Sequence, residues 1–212
     1  MGQKVKSFSE VNLIKLGLNP GEVSTVLGLA DEVTDLALGD SPDLYLTYQT
    51  LRDVLEGLNF FERLAERAKS PISYDEAKAL VRKSAEDGKV IGITGKPAVG
   101  KTTLLNNLCS GDYIRIDECW PTSRDYKMAL EILERYRLHQ VGAIIAGCQL
   151  DPGLTDVRLH LNASLDSRFR HLFQRRRDVW DELRLEHYEE MDLVDTVYYG
   201  PEIVNADLVL DI

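Results

Sequence analysis

A chain of 212 residues with 44% hydrophobic content can bury a real core in one domain, or in one domain with an appendage. Its formal net charge of −10, shared evenly between residues 1–88 and 89–212, disfavours broad electrostatic attraction to nucleic acid and leaves room only for local basic patches. No apolar run approaches the roughly 18 residues of a membrane span.

The start, Met1-Gly2-Gln3-Lys4, lacks the apolar segment of a signal peptide. The 3 cysteines, Cys109, Cys119 and Cys148, are widely spaced and form neither a disulfide framework nor a zinc pattern. The expectation is a cytoplasmic protein with reduced thiols and no membrane partner.

Residues 1–88 read as an all-helical region. Ser7-Phe8-Ser9-Glu10 and Ser73-Tyr74-Asp75-Glu76 have capping-box spacing. Asn19-Pro20 and Ser41-Pro42 each place a capping side chain before a proline at the first helical position, where its missing N–H costs nothing. Apolar residues such as Val23, Val26, Leu27 and Val33, then Leu44, Leu51, Leu55 and Leu58, recur at helical spacing. Four or five helices are predicted, with Gly88 as a closing cap.

The pattern changes at Lys89, so a boundary is predicted there, with a second region over 89–212. Val90 to Thr94 reads as a short buried strand, Thr102 to Leu108 as a helix, and Tyr113 to Ile116 as a strand. Tyr126 to Leu138 reads as a helix, and Val141 to Cys148 and Val157 to Leu161 as strands. Leu165 to about Met191 is a long helical stretch, basic and then acidic. Ala206 to Ile212 closes as a strand. Strands alternating with helices predict an α/β fold with a parallel sheet.

Between the first strand and the next helix lies Gly95-Lys96-Pro97-Ala98-Val99-Gly100-Lys101-Thr102, which matches G-x-x-x-x-G-K-[ST]. Gly95 and Gly100 let the backbone turn and approach phosphate oxygens. Successive N–H groups then point inward at the positive end of the following helix. Lys101 is expected to reach the β- and γ-phosphates, Thr102 to ligate Mg²⁺, and Thr103 to add a phosphate contact. No Asn-Lys-x-Asp or Thr-Lys-x-Asp segment for reading guanine is present.

Downstream residues narrow the chemistry. Asp117 and Glu118 end the second predicted strand, and strand C-termini line the ligand crevice of a parallel sheet. A carboxylate there can accept a proton from an attacking hydroxyl or hold a metal-bound water. The alternative is an acidic pair that starts a loop. Arg168, Arg170, Arg175, Arg176 and Arg177 form a basic cluster suited to gripping phosphate oxygens; the alternative is a solvated helix face paired with the acids that follow. Trp120 can stack on a ring or fill core, and Arg124 can hold an acceptor or pair with Asp125. Gln149 and Asp151 follow the third strand. The four histidines, His139, His160, His171 and His187, have no metal spacing and receive no role.

From Val90 onward the order of parts resembles the nucleoside and nucleotide kinases of the P-loop superfamily, the uridine-kinase-like branch most of all. The matching pieces are Gly95 to Thr103, Ile116-Asp117-Glu118-Cys119-Trp120, and Ile144-Ile145-Ala146-Gly147. Ser164 to Arg168 with the arginine run and Tyr199-Gly200-Pro201 to Leu210 complete the set. The resemblance implies a five-stranded parallel sheet flanked by helices, an arginine-bearing lid, ATP as donor and a hydroxyl as acceptor. It maps Asp117 onto the catalytic acid and Trp120 onto an aromatic near the acceptor. Two features depart from it: Ala146 stands where the branch often carries glutamate, and residues 1–88 have no counterpart in the simple kinases.

The expectation is therefore an ATP- and Mg²⁺-dependent kinase for a nucleoside-like acceptor. Lys101, Asp117, Arg168, Arg175 and Arg176 are the catalytic candidates, with Glu118 and Thr102 at the metal and Trp120 and Arg124 at the acceptor. Two rivals keep the phosphate loop: a viral-type kinase of hydroxymethylated pyrimidines in DNA, and a non-catalytic NTP-binding module.

Overall fold

Side-chain caps start three of the helices as their residue types predict. The computed structural model describes residues 7–108, 114–116, 130–136, 142–175 and 179–212. Ser7 caps α1 (Phe8–Lys15) in a capping box with Glu10. Asn19 caps α2 (Pro20–Leu38), its Oδ1 accepting from the Gly21 and Glu22 amides at 2.9 and 3.0 Å. Ser73 and Glu76 do the same for α5 (Tyr74–Glu86). Each such cap is worth about 1 kcal/mol.

The exception is Ser41-Pro42. Asp40 lies in the left-handed region at φ 49°, and the Ser41 amide still closes the end of α2 on the Leu36 carbonyl at 3.0 Å. The chain therefore turns through Ser41–Asp43, and α3 (Leu44–Gly57) begins two residues later than expected, without a side-chain cap. α4 (Phe60–Arg67) follows directly.

Beyond α5, β1 (Val90–Thr94), α6 (Lys101–Leu108), β2 (Ile114–Ile116) and β3 (Ala143–Ala146) follow, with residues 130–136 forming α7. β4 (Val157–Asn162), α8 (Leu165–Arg175), α9 (Val179–Glu186), α10 (Tyr188–Tyr199) and β5 (Leu208–Asp211) complete the order. Within the stretch expected as one long helix, α9 and α10 are parted at His187 (φ −124°, ψ 48°), and residues 176–178 lie outside the described residues.

The chain forms two compact units, divided elsewhere than between residues 88 and 89. One holds Met1–Ala68 with Leu165–Val204, the other Lys69–Ser164 with Asn205–Ile212. Packing explains the assignment of α5 to the second: Ala77, Val81 and Ala85 share a core with the strands, and the Ala85 carbonyl oxygen would lie 2.1 Å from any Cβ at Gly142. Residues of α10 go to the first because Met191, Val194 and Val197 share a core with Leu13, Val26, Leu51 and Phe60.

In the second unit the strands form one sheet in the order β2-β3-β1-β4-β5, with every pair parallel. The central β1 is buried along its whole length, as a strand covered on both faces should be. Alternation divides its side chains. Ile91 and Ile93 pack with α5, α6, Leu159 and Leu161, whereas Val90 packs on the opposite side with Leu133, Ile145, Leu150 and Leu154. A Schellman turn ends α5 and feeds β1: Gly88 takes φ 73°, and the Lys89 amide donates to the Ser84 carbonyl at 2.9 Å. Among the described residues no helix is long and apolar enough to cross a membrane.

Candidate functional site

Strand order fixes where a ligand crevice forms. After β1 the chain runs to β2 at one edge; after β3 it crosses to β4 on the other side of β1. The connections leaving β1 and β3 therefore diverge, and the gap between their carboxyl ends is a topological switch point, the usual ligand site of an open parallel sheet. The glycine-rich loop leaves β1 there, and Gly147-Cys148 leaves β3 there.

The loop is held tightly. Gly95 takes φ 142°, and a Cβ on it would stand 2.5 Å from the Leu161 carbonyl oxygen and 2.9 Å from Val99 Cγ1. Only glycine fits. Ala98 and Gly100 also have positive φ, 60° and 95°. Mixing left- and right-handed residues in this way turns successive N–H groups toward a common anion. Val99 is buried in the core shared with α5 and α6 and pins the loop's crown. Lys96 and Pro97 are half-buried.

Lys101 opens α6 and is only 7% exposed. Its Nζ donates to the Gly95 carbonyl at 2.9 Å, to the Lys96 carbonyl at 3.0 Å and to Cys148 Sγ at 3.3 Å. The last contact ties the loop to the end of β3 across the switch point. All three acceptors are uncharged, and among the described residues no carboxylate pairs with this ammonium. Thr102 and Thr103 lie exposed on the first turn of α6, where a hydroxyl reaches solvent and any ligand.

A histidine with no role expected from the sequence lies beside this group. His160 stands opposite Thr94 in the β1–β4 register, and its Nδ1 is 3.1 Å from Thr94 Oγ1. Both side chains are buried. Burial, and then the positive charges of Lys101 and Lys96, push the His160 pKa down to about 4. The ring is neutral at physiological pH.

The other expected site residues separate into two groups. Asp117, Glu118, Trp120, Arg124 and Arg176 lie outside the described residues. Arg175 ends α8. Arg168, expected on a lid, is 3% exposed within the helical unit. Its guanidinium pairs with Asp192 and, at 2.8 Å, with Asp195, which also accepts from Arg184 at 2.7 Å. Arg168 thus has a structural task inside a buried ionic cluster, and gripping a phosphate requires breaking it. Gln149 is half-buried, and Asp151 accepts from the Gly153 amide at 2.8 Å.

No protein-family model matches the chain, and no curated protein matches it. Function rests on the site itself. A glycine-rich loop with positive-φ residues at the switch point, a buried ammonium that meets no carboxylate among the described residues, and two exposed hydroxyls can hold a polyanion such as a polyphosphate. Among the described residues no His/Cys/Asp/Glu group forms a metal site by itself.

Proposed function

We propose that the sheet unit is a P-loop kinase-like domain that binds ATP with Mg²⁺ and transfers the γ-phosphoryl group to a hydroxyl of a nucleoside-like acceptor. The observation that carries this reading is Lys101. A buried cation is costly unless an anion faces it, and the described surroundings of Nζ offer only dipoles. A triphosphate supplies the missing charge where the loop amides converge. The placement at the switch point of a parallel sheet supports the same reading, and so does the resemblance to the uridine-kinase-like branch.

In this proposal Gly95 to Thr103 cradle the phosphates, and Lys101 neutralises the β- and γ-phosphates. Thr102, with Glu118, holds Mg²⁺, which screens charge on the transferring group. Asp117 accepts the proton of the acceptor hydroxyl as the new P–O bond forms and the bond to the β–γ bridging oxygen breaks, releasing ADP. Trp120 and Arg124 orient the acceptor, and Arg175 or Arg176 neutralises the transferring group. Positioning and charge stabilisation supply most of the rate. Lys101→Ala is expected to weaken ATP binding and abolish transfer, by about a hundredfold or more, with the thermal melting transition intact. ATP binding that survives this change removes the assignment.

One observation favours a second reading. Arg168 is held by Asp192 and Asp195, so a lid arginine at this position is committed elsewhere. A nucleotide-binding regulatory module needs no lid. It predicts ATP binding without ADP release in the presence of nucleosides, nucleotides or hydroxymethyluracil-containing DNA, whereas the kinase reading predicts release with one of them.

A further inference from the structure

The phosphate loop is braced from β4 as well as from its own helix. Two consecutive residues of that strand meet the point where β1 becomes the loop. The Leu161 carbonyl sets the space at Gly95, and the ring Nδ1 of the preceding residue, His160, stands within hydrogen-bond distance of the Thr94 hydroxyl at 3.1 Å. Thr94 is 1% exposed and His160 5%, so water cannot substitute for either group at low cost. Strand alternation puts both on the sheet face opposite Ile93 and Leu161, away from the core that anchors Val99.

The side chain chosen for this place also matters electrically. Among the described residues Lys101 and Lys96 are the charged groups acting on His160, and no carboxylate there acts on it. A carboxylate here would neutralise Lys101, and a lysine or arginine would add a third positive charge to a buried site. An uncharged ring nitrogen meets the Thr94 hydroxyl and leaves the ammonium's field intact for an incoming anion.

We infer that His160, outside the phosphate-loop motif, is a positioning residue for that loop: through its Nδ1 contact with Thr94 it fixes the exit of β1, and with it the geometry in which Gly95 and Lys101 meet a polyphosphate. This inference rests on the nucleotide reading above. His160 does not touch the phosphates; it acts through Thr94.

The test compares three full-length variants with the wild type by calorimetric titration with ATP·Mg²⁺ and, separately, with inorganic tripolyphosphate, each alongside a thermal melt. His160→Leu removes the contact and keeps the bulk. His160→Asn keeps a polar atom near the place of Nδ1. Thr94→Val removes the contact from the other side without touching the histidine. The expected result is that His160→Leu and Thr94→Val each weaken both ligands about tenfold, the double variant is no worse than either, and His160→Asn recovers to within about threefold of wild type. A purely structural histidine lowers melting temperature in Leu and Asn variants alike and leaves affinity unmoved, which overturns the inference. Equal affinity in Thr94→Val and wild type overturns it too, even if His160→Leu fails to fold. A wild type that binds neither ligand removes the nucleotide reading, and the inference falls with it.

Discussion

The two units each bury a cation near the end of an element, and they satisfy it in opposite ways. In the helical unit Arg168 meets Asp192 and Asp195, with Arg184 sharing the second carboxylate. In the sheet unit Lys101 meets two backbone carbonyls and a thiol. The first arrangement sets two guanidinium groups against two carboxylates within the chain and reads as structure. The second, among the described residues, leaves the ammonium without a carboxylate beside a loop with positive-φ residues, and reads as a receptor for an anion. Burial alone does not separate them, since both residues are under a tenth exposed. The identity of the partners does.

Stripping a carboxylate from the helical unit should break the comparison most forcefully. Asp195→Ala leaves Arg168 and Arg184 competing for what remains, and removing one partner of a buried ionic cluster typically costs about 3–5 kcal/mol. Urea unfolding of the variant should show a loss of that size. A loss below about 1 kcal/mol would mean that the cluster is solvated and that Arg168 is available for other duties.

Acid offers a second lever, on the sheet side. His160 has its pKa lowered from 6.5 to about 4 in the folded protein. Above pH 6.5 it is neutral folded or unfolded and contributes no pH dependence. As pH falls below that value, the unfolded chain takes up a proton that the folded chain refuses, so stability declines until about pH 4. The whole shift amounts to about 3 kcal/mol. Carboxylates titrate in the same window, so the measurement is a difference: urea midpoints at pH 7 and pH 4.5 for wild type and His160→Asn. Wild type should lose more, by roughly 2 kcal/mol; parallel losses would place the ring in contact with solvent.

The two cations also show what a sequence can display. The glycine-rich loop was legible as a tight turn because its parts are contiguous: Gly95, Gly100 and Lys101 stand at fixed spacing after an apolar strand, and Gly95 and Gly100 take the positive φ that the pattern predicts. The helix starts at Ser7, Asn19 and Ser73 were legible for the same local reason. Ser41-Pro42 looked alike, but Asp40 and the closing bonds of α2 claimed those residues for a turn. The arginine cluster was visible as a cluster, whereas its partners on α10 lie a separate helix away, and nothing local assigns Arg168 to Asp195 over a phosphate. His160 carries no motif at all. Its role depends on the register that sets β4 beside β1 across 66 positions. The membership of α5 was hidden likewise, because its capping box resembles those of α1 and α2 and only the close approach to Gly142 sends it to the sheet.

The smallest expected effect is the sharpest test of the contrast, because it tries to convert one arrangement into the other. Cys148 Sγ stands 3.3 Å from Lys101 Nζ and is the side-chain member of the trio. Cys148→Asp gives the ammonium a carboxylate of its own, as Arg168 already has. At that separation, with an effective dielectric near 20, the pair attracts by several kcal/mol before desolvation is subtracted. An incoming triphosphate must then displace or repel the new charge, so ATP affinity should fall about thirtyfold, while the fold holds because the buried charge is now matched. Cys148→Ser supplies a neutral acceptor of similar size and should bind ATP within about threefold of wild type. If the serine variant loses as much as the aspartate one, the thiol's shape matters and its neutrality does not. If neither loses affinity, Lys101 does not meet the phosphate from this position, and a buried ammonium without a carboxylate ceases to distinguish a receptor from a brace.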